Sequence, residues 1–489
     1  MDNLYNSSNF DKDILSIQKV RDLLKKAKAA QEIFAQFNQG KVDKIVEAMA
    51  LAGYENSRRL ALMAVEETGF GVVDDKTVKN QFATKNVFEY IKGIRTAGII
   101  NEDITRKIVE IAEPVGVIAG IIPTTNPTST VMFKSIISLK ARNGIVFSPH
   151  PRAVKCSMEA ARIMEEAALS AGAPKGIIGC MDICTMEATE ELMKNPLTAV
   201  ILATGGSAMV KAAYSSGKPS YGVGPGNVPA FIERSADIPT AVSNILLSKT
   251  FDNGTICASE QAVIAEEAIC EELMNEFKKQ GGYFLSPEEI NAVGKTVIQQ
   301  NGGVNPKVVG KSPLEIADMA GIKIPEGTRA LIARLFGVGK QYPLSAEKLC
   351  PILAFYIEKD WVKSCERCYE LLKYGGLGHS MSIHSNNEEI IRKFALKKPV
   401  FRILVNTPSS QGAIGYTTGL QPSLTLGCGS WGGNITADNV GPQHLINIKR
   451  LAHSLDANTG QINKGRIGFT YTHNEVFKAV EEFLRNTAS

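Results

Sequence analysis

Beyond Val115, short apolar runs alternate with stretches of helical periodicity, and no other feature of the chain constrains its fold as much. Runs at 115–122, 144–147, 176–179 and 199–203 read as strands. Helix-like stretches at 131–141 and 153–170 lie between them. Such alternation implies an α/β architecture, a parallel sheet covered by helices on both faces. After Asp237-Ile-Pro239 the pattern resets with a helix over 240–249 and a strand at 262–265. Strands near 351–357, 380–384 and 402–406 then predict a second α/β unit, with the active site between the two. The opening, to about Ile91, is helical; Ile14, Ile17, Val20 and Leu24 share one face of its first amphipathic segment.

At 489 residues the chain can form two or more domains. A formal charge of +4 with no Lys/Arg-dense arm makes nucleic acid an unexpected partner. There is no signal peptide and no apolar run long enough for a bilayer, so the expectation is a soluble, intracellular, cytoplasmic protein. Nine scattered cysteines then read as reduced thiols. Cys365 and Cys368 form a CxxC, but within a helical segment at 361–372 and with no second pair at zinc spacing, so they read as helix packing. The six histidines form no ligand motif, and no metal is expected.

Open α/β sheets bind ligands beyond the carboxyl ends of their strands. Ile121-Ile-Pro123-Thr-Thr-Asn126-Pro127-Thr128 follows the first strand, and Ala203-Thr204-Gly205-Gly206-Ser207 follows the fourth and opens a helix at 208–214. The second loop suits a phosphate or a plain helix cap equally well. Gly222-Val-Gly224-Pro-Gly226-Asn227 lacks the last glycine of a dinucleotide fingerprint and precedes a short strand at 229–232, so it reads as a tight, close-packed turn. Residues 407–434, rich in Gly, Ser, Thr and Pro, are expected as ordered loops lining the site or meeting another subunit. A polar linker at 455–466 leads to a helix capped by Asn474, with Val476, Phe477, Val480, Phe483 and Leu484 in one stripe. That stripe can dock on the protein's own body or in a partner's groove.

Phe251-Asp-Asn-Gly-Thr-Ile-Cys257-Ala-Ser-Glu-Gln261 puts one thiol after a flexible Asn253-Gly254 turn and before a strand. Alone it reads as a core cysteine or as a nucleophile facing a pocket. The ordered set Pro123-Thr-Thr-Asn126-Pro127, Thr204-Gly-Gly-Ser207, Gly224-Pro-Gly-Asn227-Val-Pro229, Phe251 to Cys257 and Glu347-Lys-Leu-Cys-Pro351 resembles the aldehyde dehydrogenase superfamily. Phe147-Ser-Pro-His150-Pro-Arg152, Gly376-Leu-Gly-His379 and the cysteine stretch resemble its CoA-acylating branch, which includes acetaldehyde and propionaldehyde dehydrogenases of bacterial microcompartments and the aldehyde half of bifunctional aldehyde–alcohol dehydrogenases.

The resemblance implies a Rossmann-type nicotinamide domain over 1–239, a catalytic α/β domain over 240–430, and a return through 431–454 to the cofactor domain and a small, discontinuous oligomerisation element. It implies NAD, with NADP left open, CoA as co-substrate, a homodimer or tetramer, and a microcompartment shell or partner enzyme as an occupant for the tail helix. With the chain ending at Ser489, no fused alcohol dehydrogenase half is expected. Carried over by position, Cys257 is the nucleophile and Asn126 an oxyanion donor. His379 is a base toward the thiol, a hydrogen-bond donor, or a structural histidine near the pocket mouth. Thr204, Gly205 and Gly206 lie along the cofactor, Glu347 holds the nicotinamide ribose, and Ser148, His150 and Pro151 stand near the adenosine. Thr124, Thr125, Ser207, Gly222, Val223, Gly224 and Leu349 complete the implied cofactor contacts. Hydrolytic relatives activate water with a glutamate where this chain has Gly222. A glycine accepts no proton, so the absent base favours thiol transfer; a hydrolytic enzyme with another base and an acyl-phosphate reductase are the alternatives.

Overall fold

The computed structural model describes residues 11–455. The linker and capped helix expected beyond 455 lie outside the described residues. The described chain forms two compact units, a larger one of 11–98 with 113–447 and a smaller one of 99–112 with 448–455.

The larger unit holds two all-parallel sheets. The five-stranded one runs Ile178–Cys180, Gly144–Pro149, Val117–Ile122, Thr198–Thr204, Ser220–Val223. All four strands expected from apolar runs are in it. The first starts at Val117 rather than 115, after Gly116 at φ 131°, and the third starts at Ile178, after Gly176 at φ 89°. Both glycines occupy the positive-φ region that interrupts an extended run. The helix expected from 131 begins at Pro127, where Asn126 is the N-cap and proline suits the first turn. All 14 residues of Pro127–Lys140 are buried, so no amphipathic stripe marks its start. Its Lys134 donates to the Ile121 and Leu202 carbonyls, tying the carboxyl ends of two strands together.

The seven-stranded sheet runs Gly282–Phe284, Ala330–Arg334, Ile352–Glu358, Glu260–Glu266, Val228–Ile232, Met381–His384, Ile403–Val405. The chain therefore leaves the first sheet after Val223 and enters the second at Val228. Glu260–Glu266, the strand behind the cysteine loop, is central and buried throughout. Two of these strands, 282–284 and 330–334, have no counterpart among the sequence-read elements; the first is only three residues long.

A three-stranded sheet, Gly98–Asp103, Ile108–Pro114, Ile446–Ala452, also escaped the sequence reading, because its outer strands are mostly exposed and lack an apolar run. Cys365 and Cys368 are buried on the helix Trp361–Tyr374. Among the described residues, no group of three or more His, Cys, Asp or Glu side chains is placed to hold a metal, and no helix is long and apolar enough to cross a membrane.

Candidate active site

A cleft of about 720 Å³ opens at the carboxyl ends of the five-stranded sheet and at the amino ends of two strands of the larger one. The first sheet contributes Thr124, Thr125 and Asn126, then Ser148, His150 and Pro151, then Thr204, Gly205 and Gly206, then Val223 and Gly224. The second contributes Cys257, Glu347 and Leu349. Of the residues expected there, Gly222 and His379 do not line it. Ser207 opens the helix Ser207–Tyr214 beside Gly206. The loops at 407–434 do not line the cleft either; several of their residues pack, buried, behind His379.

A nicotinamide dinucleotide fits this wall. No side chain caps Ser207–Tyr214, so its first backbone N–H groups are left to a ligand, and the buried Thr204 hydroxyl just before it has no hydrogen-bond partner. The Ser148 hydroxyl is taken by Thr189 Oγ1 at 2.8 Å, while His150 is exposed at the rim.

Cys257 follows a 3-10 turn, Phe251–Gly254, in which Asp252, Asn253 and Gly254 all have positive φ. That turn ends the helix Ile238–Thr250 and leaves the half-buried thiol facing the cleft. His379 Nε2 lies 3.3 Å from Cys257 Sγ. This histidine is fully buried beneath the sulfur, not at the pocket mouth. Burial, with the nearby Arg402 charge, drives its pKa down to about 3, so the ring is neutral. The tautomer protonated on Nδ1 donates to Ser380 Oγ at 3.1 Å and leaves Nε2 to accept from the thiol. Arg402 holds the histidine from behind: its guanidinium donates to the His379, Gly427 and Ala437 carbonyls and to Asn439 Oδ1. Gly226 packs so closely that a Cβ there would stand 2.4 Å from the Cys257 carbonyl and 3.0 Å from the His379 ring, as a tight turn requires.

Asn126 caps its helix with its backbone, and its side chain faces the cleft. Nδ2 is 3.1 Å from Thr125 Oγ1 and 3.5 Å from the Thr255 carbonyl, two residues before the nucleophile. Oδ1 accepts from Lys79 Nζ at 2.6 Å. Lys79 belongs to a buried group with Lys76, Asp252 and Thr255 that the sequence reading missed. The apolar periodicity of the opening helices carries no mark of it; a pair of lysines at i, i+3 reads as a solvated face.

Two carboxylate questions decide what this thiol can do. A Cβ on Gly222 would stand 2.7 Å from Val210 Cγ1 and 2.9 Å from Tyr214 Cε2, and the Tyr214 hydroxyl takes the Gly222 N–H. The position is filled from the neighbouring helix, so it could not hold a glutamate without repacking. Glu347 is the one carboxylate residue among the described residues lining the cleft. It accepts the Gly226 N–H at 3.1 Å, and burial pushes its pKa up to about 7.

Residues 15–282 match the aldehyde dehydrogenase family. The chain belongs to that family. Within it, an acetylating aldehyde dehydrogenase of Geobacillus thermoglucosidasius is 57% identical, with a TM-score of 0.90 over 91% of this chain and 98% of that one. The bifunctional aldehyde-alcohol dehydrogenase AdhE of Escherichia coli (strain K12) is 47% identical over 444 residues, which are 90% of this chain and 50% of the relative. This family member thus spans about half the length of the bifunctional relatives it matches. A propionaldehyde dehydrogenase of Rhodopseudomonas palustris, solved with bound CoA and an acylated cysteine, is 26% identical, with a TM-score of 0.80 over 89% of this chain and 97% of that one. The relatives lie in the acylating branch, where the motifs around Phe147, Cys257 and His379 placed the sequence.

Proposed function

We propose that this protein is a CoA-acylating aldehyde dehydrogenase: a short aldehyde, acetaldehyde or propionaldehyde, with NAD⁺ and CoA, gives acyl-CoA, NADH and a proton. The observation that carries this reading is the pairing of a cleft-facing Cys257 with a neutral His379 at 3.3 Å, while the position of the hydrolytic glutamate is a sealed Gly222.

Cys257 adds to the aldehyde carbon, forming a thiohemiacetal, as its proton leaves along the hydrogen bond to His379 Nε2 and on to solvent. The Asn126 Nδ2 hydrogens and the Cys257 backbone N–H receive the oxyanion; one such donor is typically worth ~10²–10³ in rate. Bound against Thr204–Gly206 and Glu347, the nicotinamide supplies the hydride acceptor. Cys257 then carries a thioester. Water attacks it slowly without a positioned base, a help worth ~10²–10⁴-fold. A thiol ionises far more readily than water and is the better nucleophile, so CoA takes the acyl group while its thiol proton passes to the displaced Cys257 sulfur, which is freed for the next turnover. Support for placing the cofactor in the 1–239 part and the nucleophile in the 240–430 part comes from the two sides of the cleft. We also place the smaller unit at a contact between copies of the chain.

Cys257→Ala is expected to abolish NADH formation from aldehyde. With wild type, aldehyde and NAD⁺ alone are expected to give a single-turnover burst that becomes steady turnover on adding CoA. A high steady rate without any thiol would overturn the acyl-transfer reading, and turnover following phosphate would favour the acyl-phosphate reaction.

A further inference from the structure

The loop that carries Cys257 and the loop that carries Asn126 belong to different sheets, and a third element fastens them together. This is the helix Val73–Gln81, whose Lys76 and Lys79 are buried and have no part in the steps above. Lys79 Nζ meets three acceptors: Asn126 Oδ1 at 2.6 Å, Asp252 Oδ2 at 2.5 Å and Thr255 Oγ1 at 3.0 Å. The Thr255 hydroxyl spends its own proton on Asp252 Oδ2, at 2.6 Å, which leaves its lone pairs to Lys79. An ammonium has three donors and no acceptor, so every Lys79 proton is used and only an oxygen can face it. Lys76 closes the frame, donating to Asp252 Oδ2 and to the Thr125 carbonyl, both at 2.8 Å.

We propose that Lys79 is a positioning residue for aldehyde oxidation: it fixes the Asn126 amide with Oδ1 turned away from the reacting carbon and Nδ2 on the cleft side, where the hydrogen that rests on the Thr255 carbonyl at 3.5 Å turns to the thiohemiacetal oxygen. This rests on the reading in which Asn126 receives that oxygen. A primary amide has two orientations of nearly equal shape, and the wrong one sets its oxygen lone pairs against a developing anion. Lys79 removes that choice. A charged donor on Oδ1 also polarises the amide, making its N–H groups stronger donors in a site partly closed to water. Asp252, left-handed at φ 50° and buried, holds the ammonium in place and anchors the turn from which Cys257 follows. Burial lowers the Lys79 pKa to about 8, while Asp252 pulls it back up.

A double-mutant cycle on the full chain separates this from a lysine that merely staples the cysteine turn. Asn126→Ala is expected to lower kcat by ~10²–10³. Lys79→Met should lower it by at least about tenfold with little change in the aldehyde KM, and by less than about threefold when Asn126 is already alanine, because the two act through one amide. Lys79→Gln, which keeps a neutral N–H donor, should recover part of the loss, and it replaces the methionine variant in the cycle if that variant does not fold. Alkylation of Cys257 by iodoacetamide should be unchanged in either Lys79 variant. Wild-type turnover in Lys79→Met, losses that multiply in full in the double variant, or a changed Cys257 alkylation rate would each overturn the role of Lys79. Full activity in Asn126→Ala would instead remove the oxyanion assignment, and the inference with it.

Discussion

The Cys257 thiol sits in a field that opposes its own ionisation. Burial comes first and the Glu347 carboxylate second, and together they push its pKa up to about 12, with Arg402 pulling the other way. Free enzyme at neutral pH therefore holds a thiol, and the neutral His379 ring, 3.3 Å away, accepts its hydrogen bond. Glu347 itself ionises near pH 7, since burial raises it to about that value. The sign follows. Below pH 7 Glu347 is neutral and repels no thiolate; above it the carboxylate is charged and thiolate formation becomes harder. Glu347→Gln is thus expected to speed alkylation of Cys257 by iodoacetamide at pH 8, about three- to tenfold, with little difference at pH 6. Following the Cys257 peptide by mass spectrometry measures both rates, and equal rates at pH 8 would remove Glu347 from the field on the sulfur. Cys257, Asn126 and Glu347 were legible in the sequence because each stands in a short motif. Lys79 was not, and neither was its pairing with Asp252 inside the cysteine motif: the bonds of Lys79 to Asp252 and to Asn126 span 173 and 47 residues, and a buried lysine looks like any surface lysine until its partners arrive.

Among elements, the strand Ser220–Val223 and the helix Ser207–Tyr214 bear most on the proposed attack on the thioester. The helix lays Val210 and Tyr214 over Gly222, so the place of a water-activating base is occupied by side chains rather than left open to solvent. Restoring the carboxylate alone should then fail. Gly222→Glu is expected to cost about 1–3 kcal/mol of stability by overpacking and to give no CoA-independent turnover. Thermal melting and NADH formation without thiol measure the two effects; a stable variant that hydrolyses its thioester would show that the pocket tolerates the base. The same elements show where sequence reading reaches its limit. Most strands with both faces buried announced themselves as apolar runs, although Ala330–Arg334, buried and inside the sheet, went unread, and the one between Val117 and Ile122 was displaced only by a positive-φ glycine. The helix Pro127–Lys140 hid its first turn because Thr128, Ser129 and Thr130 are buried despite being polar, the last bonded back to the Asn126 carbonyl. Short edge strands and exposed strands carry no such signal, and the three-stranded sheet went unread.

At the scale of the molecule, that small sheet poses a problem of its own. In the described part of the smaller unit, 99–112 with 448–455, large apolar side chains stay outside: Ile99 is 50% exposed, Ile104 84%, Ile448 40% and Leu451 50%. Among the described residues, no further strand of the sheet lies outside its outer strands, Gly98–Asp103 and Ile446–Ala452. Such edges are normally shortened, charged or covered, because they template pairing with another chain. These are six and seven residues long and carry exposed isoleucine and leucine among their charges. The occupant proposed above is a second copy of the same chain, and the unit is discontinuous in sequence, as expected of the oligomerisation element. If copies meet there, charge placed on the apolar positions should separate them, since burying an unpaired carboxylate costs far more than the contact returns. Ile448→Asp with Leu451→Asp is expected to reduce the sedimenting species to a single chain while Cys257 remains alkylatable. Wild-type protein that already sediments as one chain, or a double variant with unchanged assembly, would show that this sheet faces something other than its own copy.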